Sequence, residues 1–202
     1  MYEIVPLFAF LVILLYISIE DIKYRMIPYW TVPILFAIAP IYIYLADLSF
    51  TKASFSFMMV ACLFLFLFIV GKGSFGIGDV MVMAVIGWVL GDISNAYVYL
   101  IYIFAPIWLI WYIINIVDQS RKYGFKWKEL FKYRKSISTS ELKPGMVMAN
   151  DNFMHGLTPK DIEEVQKRYD EVTVKLPLAF CPIACIATIL FFILLYAQPS
   201  LV

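Results

Sequence analysis

Six long apolar runs punctuate this chain, at about Ile4 to Ile19, Tyr29 to Ala46, Ala53 to Val70, Val80 to Leu90, Ala96 to Val117 and Leu176 to Ala197. Most approach or exceed the roughly 17–25 residues that a membrane-spanning helix needs. The fourth is the exception. At 1.5 Å per residue its eleven residues cover about 16 Å of a hydrocarbon layer roughly 30 Å thick, and counting on to Asn95 extends it only to about 25 Å. The pattern predicts an all-α polytopic membrane protein. Six transmembrane helices, the fourth of them short, would form a membrane domain over residues 1–117 and a last helix with the C-terminus over 176–202. Between them lies the one polar stretch long enough to fold outside the bilayer, residues 118–175.

Composition agrees with this class: hydrophobic residues make up 63% of the 202 residues, and the mean hydropathy is +0.84. Basic residues then set the orientation, because cytoplasmic flanks carry the excess of Lys and Arg. If all six runs cross with the amino terminus outside, Lys23, Arg25, Lys72 and every basic residue from Arg121 to Lys175 lie inside. Only Lys52 lies outside. Were the short fourth run not to cross, the basic loop from Arg121 would land outside, so it is expected to cross. Met1 to Ile19 lacks a basic flank and a small-residue cleavage site, and reads as the first helix rather than a cleavable signal. The net charge of +1 gives no reason to expect a nucleic-acid partner.

Cys62, Cys181 and Cys185 all fall inside apolar runs and read as small buried hydrophobes; with no Cys-x-x-Cys pair, no zinc module is expected. In the polar stretch, Arg121 to Lys135 interleaves basic residues with Tyr123, Trp127, Leu130 and Phe131, which suggests a basic amphipathic helix on the inner leaflet. A small α+β subdomain should follow and rest on the membrane domain. Glu141 to Val147 reads as a turn into a short strand, and Val172-Thr173-Val174 as another strand. Between them Thr158-Pro159-Lys160-Asp161 has the chemistry of a helix start, running to about Tyr169. His155, after Asn150-Asp151-Asn152, reads as a surface histidine. Asp161, Glu163, Glu164, Asp170 and Glu171 read as a solvated face, or as an attraction for a basic peptide.

Two aspartates stand where apolar runs meet the inward side: Asp21, beside Glu20, and Asp79, in Gly76-Ile77-Gly78-Asp79. Ionisable groups at membrane depth are expensive to hold, so a matched pair on one face points to chemistry. If the topology brings them together, one can hold a proton while the other is ionised, as activating water against a peptide carbonyl requires. The shortness of the fourth run predicts that Asp79 is recessed below the surface or lies beside thinned bilayer. There desolvation opposes its charge while the helix amino terminus favours it. Gly76 and Gly78 permit close approaches that a side chain would block. Each motif alone has an ordinary explanation, since a Gly-Asp pair is also a common helix start with Asp as cap.

Taken together, Asp21-Ile22-Lys23-Tyr24-Arg25-Met26-Ile27-Pro28 and the segment from Gly76-Ile77-Gly78-Asp79 through Gly91 resemble the type IV prepilin peptidase family of Gly-x-Gly-Asp aspartic proteases. The resemblance spans about Met1 to Val117. Compact length and a polar loop before the last helix look like the archaeal branch, the preflagellin and archaeal prepilin peptidases. It implies that Asp21 and Asp79 are catalytic, that Gly76 and Gly78 shape their loop, and that water is activated by the two carboxylates with no cofactor and no metal. It implies partners too: membrane-inserted pilin-like or flagellin precursors whose short basic leader is cut at the cytosolic face of the cell membrane. Met81 stands where many bacterial members have Lys, and Tyr29 where they have Asp or Asn, which bears on substrate preference. The cysteine-rich region of bacterial members is missing, so their second activity, methylating the new amino terminus, is not expected.

Two rival readings use the same acids. The presenilin and signal-peptide-peptidase group shares Gly-x-Gly-Asp but carries a Tyr-Asp pair and a Pro-Ala-Leu motif, whereas here Asp21 follows Glu20 and Leu176-Pro177-Leu178-Ala179 has another order. A small transporter could bind a cation or relay protons through Asp21 and Asp79. Interrupted helices in internal repeats would mark it, and none is evident.

Overall fold

The computed structural model describes residues 2–24, 27–70, 76–123, 134–144, 146–148, 157–175 and 180–197. Each apolar run is largely helical over its described residues. Helices α1 (Ile4–Tyr24), α2 (Thr31–Leu45), α3 (Phe50–Val70) and α4 (Ile77–Val89) are followed by one continuous helix in three parts: α5 (Ile93–Val98), a π-helical turn (Tyr99–Phe104) and α6 (Ala105–Tyr123). Beyond a small unit containing α7 (Pro159–Arg168) comes the last helix, α8 (Cys181–Ala197). Ile4–Lys23, Phe50–Ile69 and Ile93–Ile114 are each long and apolar enough to cross a bilayer, and Thr31–Leu45, Ile77–Val89 and Cys181–Ala197 are shorter apolar helices. Several apolar helices of spanning length make this a membrane protein.

The brevity of α4 has a structural reason. Its apolar residues point in all directions, and a helix that is hydrophobic all round belongs inside a protein rather than on its surface. Val80, Val82, Met83, Ala84, Val85, Ile86, Gly87 and Val89 are all buried, as α2, α3 and α8 pack around it. Close packing on α3 needs Gly87, where a Cβ would stand 2.8 Å from Val60 and 3.1 Å from the Ser56 carbonyl oxygen. Ser56 Oγ donates to the Gly87 carbonyl at 2.6 Å across the same seam. The helix stops where Gly91 takes a φ of +76°, left-handed geometry that suits only glycine, and Asp92 then caps α5 by accepting the Ser94 amide at 3.0 Å. Extension to Asn95 is thereby blocked, so α4 has 13 residues, about 20 Å.

Contacts at its two ends show how far α4 reaches. Gly78 packs against Ile27 in the α1–α2 connection, whereas Gly91 packs against Leu48 in the α2–α3 connection. At that second end Lys52 pairs with Asp92 at 3.5 Å. One end of α4 therefore lies by the exit of α1 and the other by the exit of α2. The helix traverses the bundle.

A small α+β unit follows, with strands β1 (Arg134–Ser138), β2 (Val147–Met148) and β3 (Glu171–Lys175) in the antiparallel order β1-β3-β2. Ile137, Met148, Val172 and Val174 join Leu142, Met146, Leu157 and, from α7, Ile162 and Val165 in an apolar core separate from that of the bundle. The expected start of α7 is observed as a capping box: the Thr158 amide and hydroxyl each donate to Asp161 Oδ2 at 2.7 Å, and the Asp161 amide donates to Thr158 Oγ1 at 3.3 Å. Asp161 thus serves as the N3 partner of the Thr158 cap while remaining partly exposed.

Two expectations need correction. Residues 121–123 are helical as the end of α6, while Arg134 and Lys135 open β1, so the basic amphipathic helix expected over Arg121 to Lys135 does not extend to its last two residues; residues 124–133 lie outside the described residues. Pairing decides the second end, because Ile137 sits opposite Val172 and Lys135 opposite Val174 in a ladder that helical periodicity does not reveal. Cys62 is exposed on the bundle surface rather than buried, since an all-apolar helix does not disclose which face meets lipid. His155, Asn150, Asp151, Asn152, Arg25 and Lys72 also lie outside the described residues.

Candidate active site

Three chain segments converge on one point: the end of α1, the start of α4 and the start of α8. Asp21 lies in the last turn of α1 and is buried. Its Oδ2 accepts the backbone amides of Phe180 at 2.8 Å and Cys181 at 2.9 Å. The first amides of any helix have no partner within it, and inside a membrane protein water does not supply one. Asp21 therefore caps a helix 160 residues away in the chain.

Asp79 does the same for its own helix. Gly76 is the N-cap of α4, and its amide donates to Asp79 Oδ2 at 2.8 Å, the carboxylate half of a capping box. The ordinary explanation of the Gly-Asp motif as a helix start is thus correct, and it accounts for only one oxygen. The other, Oδ1, lies 3.6 Å from the Cys181 thiol, which donates to it. Cys181 hence meets one aspartate through its amide and the other through its sulfur. Bond lengths within one residue then keep the nearest carboxylate oxygens within about 11 Å of each other. The two carboxyl groups also interact electrostatically through space.

The two glycines differ in what they contribute. A Cβ on Gly78 would stand 3.0 Å from Ile27 Cδ1 and 3.3 Å from Ile27 Cβ, so this glycine lets the two sequence motifs press together. Gly76 has an ordinary φ of −82°, and a Cβ there would make only van der Waals contact with Asp79 at 3.4 Å. Its backbone amide is what matters.

The sequence singled out Asp21, Asp79, Gly76 and Gly78, and the structure places Ser18, Phe180 and Cys181, which the sequence did not single out for the site, at the same convergence. The Ser18 hydroxyl lies 2.7 Å from the Leu14 carbonyl and 3.1 Å from the Cys181 carbonyl, and shares its one proton between them. A cysteine at the polar end of an apolar run was the only available signal, and burial alone explains such a residue equally well. Among the described residues, no three His, Cys, Asp or Glu side chains are grouped as a metal ion would require.

The arrangement can do acid–base chemistry. Two carboxyl groups, anchored by backbone amides at adjoining helix starts, can exchange protons with a water or a substrate placed between them. The model of the Type IV leader peptidase family matches residues 8–117, which include both aspartates and both glycines. Neither a curated protein nor a solved structure matches the chain.

Proposed function

The chain belongs to the Type IV leader peptidase family, aspartic endopeptidases of the Gly-x-Gly-Asp type, and from that premise we propose that Asp21 and Asp79 are its catalytic pair. The observation that carries this assignment is their convergence on Cys181, since residues so remote in the chain share one neighbour. One carboxylate takes a proton from water as the oxygen attacks the scissile carbonyl. The protonated partner gives its proton to the developing oxyanion; as the tetrahedral intermediate collapses, the first carboxyl passes the proton it took from water to the leaving amine, and the partner recovers its own from a hydroxyl of the intermediate. Each carboxyl group is already held by backbone amides, so little reorganisation is needed in the transition state.

Six helices cross the membrane in this reading, with the amino terminus outside and residues 1–117 and 176–202 forming the bundle. Two observations support it: α4 traverses the bundle, and Lys52, the one basic residue assigned to the outer side, pairs with Asp92 at the end opposite Asp79. Residues 118–175, with their Lys and Arg, then lie on the cytosolic side with both aspartates. The substrate is a pilin-like or flagellin precursor, as the family implies: its apolar helix lies in the bilayer and its short basic leader reaches the cytosolic rim. Asp79, at the start of a helix of only about 20 Å, sits recessed to meet it.

Co-expression with a precursor carrying a basic leader tests the assignment. Leader removal should occur with the native chain and be lost in Asp21→Asn and Asp79→Asn, with membrane insertion retained in both. Full processing by either variant refutes the pair. Loss of ion flux in the same variants, with no peptide cut by the native chain, would favour a transporter.

A further inference from the structure

Cys181 lies outside the segment that matches the family, yet it touches both aspartates. Its side chain is fully buried, and the turn that carries it is held from several directions. Ser18 engages its carbonyl oxygen at 3.1 Å, and the neighbouring Phe180 ring packs 5.7 Å from that of Phe64 and 5.6 Å from that of Phe104. One to two turns along α8, the Tyr99 hydroxyl projects from the π-helical turn to within 3.4 Å of the Ala184 carbonyl and 3.3 Å of Thr188 Oγ1. The start of α8 is a fixed point. An alanine would lack the sulfur that meets Asp79 and could not donate a hydrogen bond.

We propose that Cys181 is a positioning residue of the peptidase, fixing Asp79 relative to Asp21 through its thiol while its amide holds Asp21. The proposal rests on the assignment of those two aspartates as the catalytic pair. A thiol suits this task because it is a weak donor. It orients the carboxylate oxygen without competing strongly for it when a proton must arrive or leave. Helix α8 thereby completes a site whose acids both come from the first half of the chain.

The test uses the full-length chain in lipid vesicles with a tagged pilin-like precursor bearing a Lys-rich leader. Removing one hydrogen bond to a charged group makes Cys181→Ala slower in kcat by about tenfold, with KM unchanged. Cys181→Ser, which restores a donor on a side chain close to alanine in size, recovers most of that loss. Native rates in Cys181→Ala, or equal losses in both variants, overturn the proposal. Failure of the native chain to cut, or cutting by Asp21→Asn, instead strikes at the catalytic pair itself. A second measurement is independent of turnover. With Cys62→Ala and Cys185→Ala isolating one thiol, the S–H stretching band of Cys181 shifts in infrared spectra when Asp79 is changed to Ala. An unmoved band overturns the proposal.

Discussion

Replacing Asp21 by Asn and, separately, by Ala should divide its mechanical role from its chemical one. In the native chain a single oxygen of Asp21 receives two amides, those of Phe180 and Cys181, at a buried position. Ala leaves both donors unpaired, and each buried orphan costs about 1–3 kcal/mol, so the loss should total roughly 2–6 kcal/mol. Asn keeps an oxygen that can accept both and forfeits only the interaction of negative charge with the positive end of α8, about 1 kcal/mol. For a chain of this size about 1 kcal/mol moves the midpoint by roughly 2–4 °C, which puts Ala on the order of 10 °C below native and Asn only a few degrees below. Both variants should lack leader-cutting activity. Thermal scans in one detergent at one rate, beside a cleavage assay, make the comparison and avoid reliance on reversibility. An Ala variant as stable as the Asn variant would show that Asp21 does not hold the start of α8.

Three further outcomes follow from other contacts. Asp79→Asn should abolish cutting yet cost under about 1 kcal/mol, because an amide oxygen can still accept the Gly76 N–H and complete the cap; a large drop in thermal midpoint would contradict this. Gly78→Ala should slow cutting and cost roughly 1 kcal/mol, because its Cβ meets Ile27 at 3.0 and 3.3 Å, and Ile27→Val, which removes the nearer of the two atoms, should recover part of both losses; an Ile27→Val double variant no better than Gly78→Ala counts against the contact. At the opposite end, the Ser94 amide, with help from Lys52, holds the Asp92 carboxyl below the ordinary aspartate range. The folded pKa is the lower one, so the stability it adds is present above the ordinary aspartate range and lost as pH falls through its folded value; a midpoint difference between native and Asp92→Ala that persists in strong acid would contradict it.

The helices, both motifs and the α7 cap could be read from the sequence because each is local. An apolar run gives a helix whatever its neighbours, and Thr158 finds Asp161 three residues on. What could not be read was tertiary. Nothing in the Val80 to Leu90 run distinguishes a helix facing lipid from one enclosed by protein, and only the packing of α2, α3 and α8 around it shows that it is enclosed. Arg134 and Lys135 pair with residues forty positions away, and local periodicity does not register such a ladder. Cys181 was invisible as a site residue for the same reason: its two partners lie 160 and 102 positions earlier.

The site joins stability to chemistry unequally in its two acids. An open helix start is a greater liability in a membrane protein than in water, since hydrocarbon offers its amides nothing. Both aspartates answer that need, but Asp79 serves the helix that carries it, whereas Asp21 serves one that arrives only at the end of the chain. The capping of Asp79 is therefore complete once α4 forms. That of Asp21 depends on α8 docking against α1, which also delivers the Cys181 thiol to Asp79. Assembly of the last helix and assembly of the acid pair are thus one event, and a chain lacking α8 would keep both aspartates while losing the geometry that unites them.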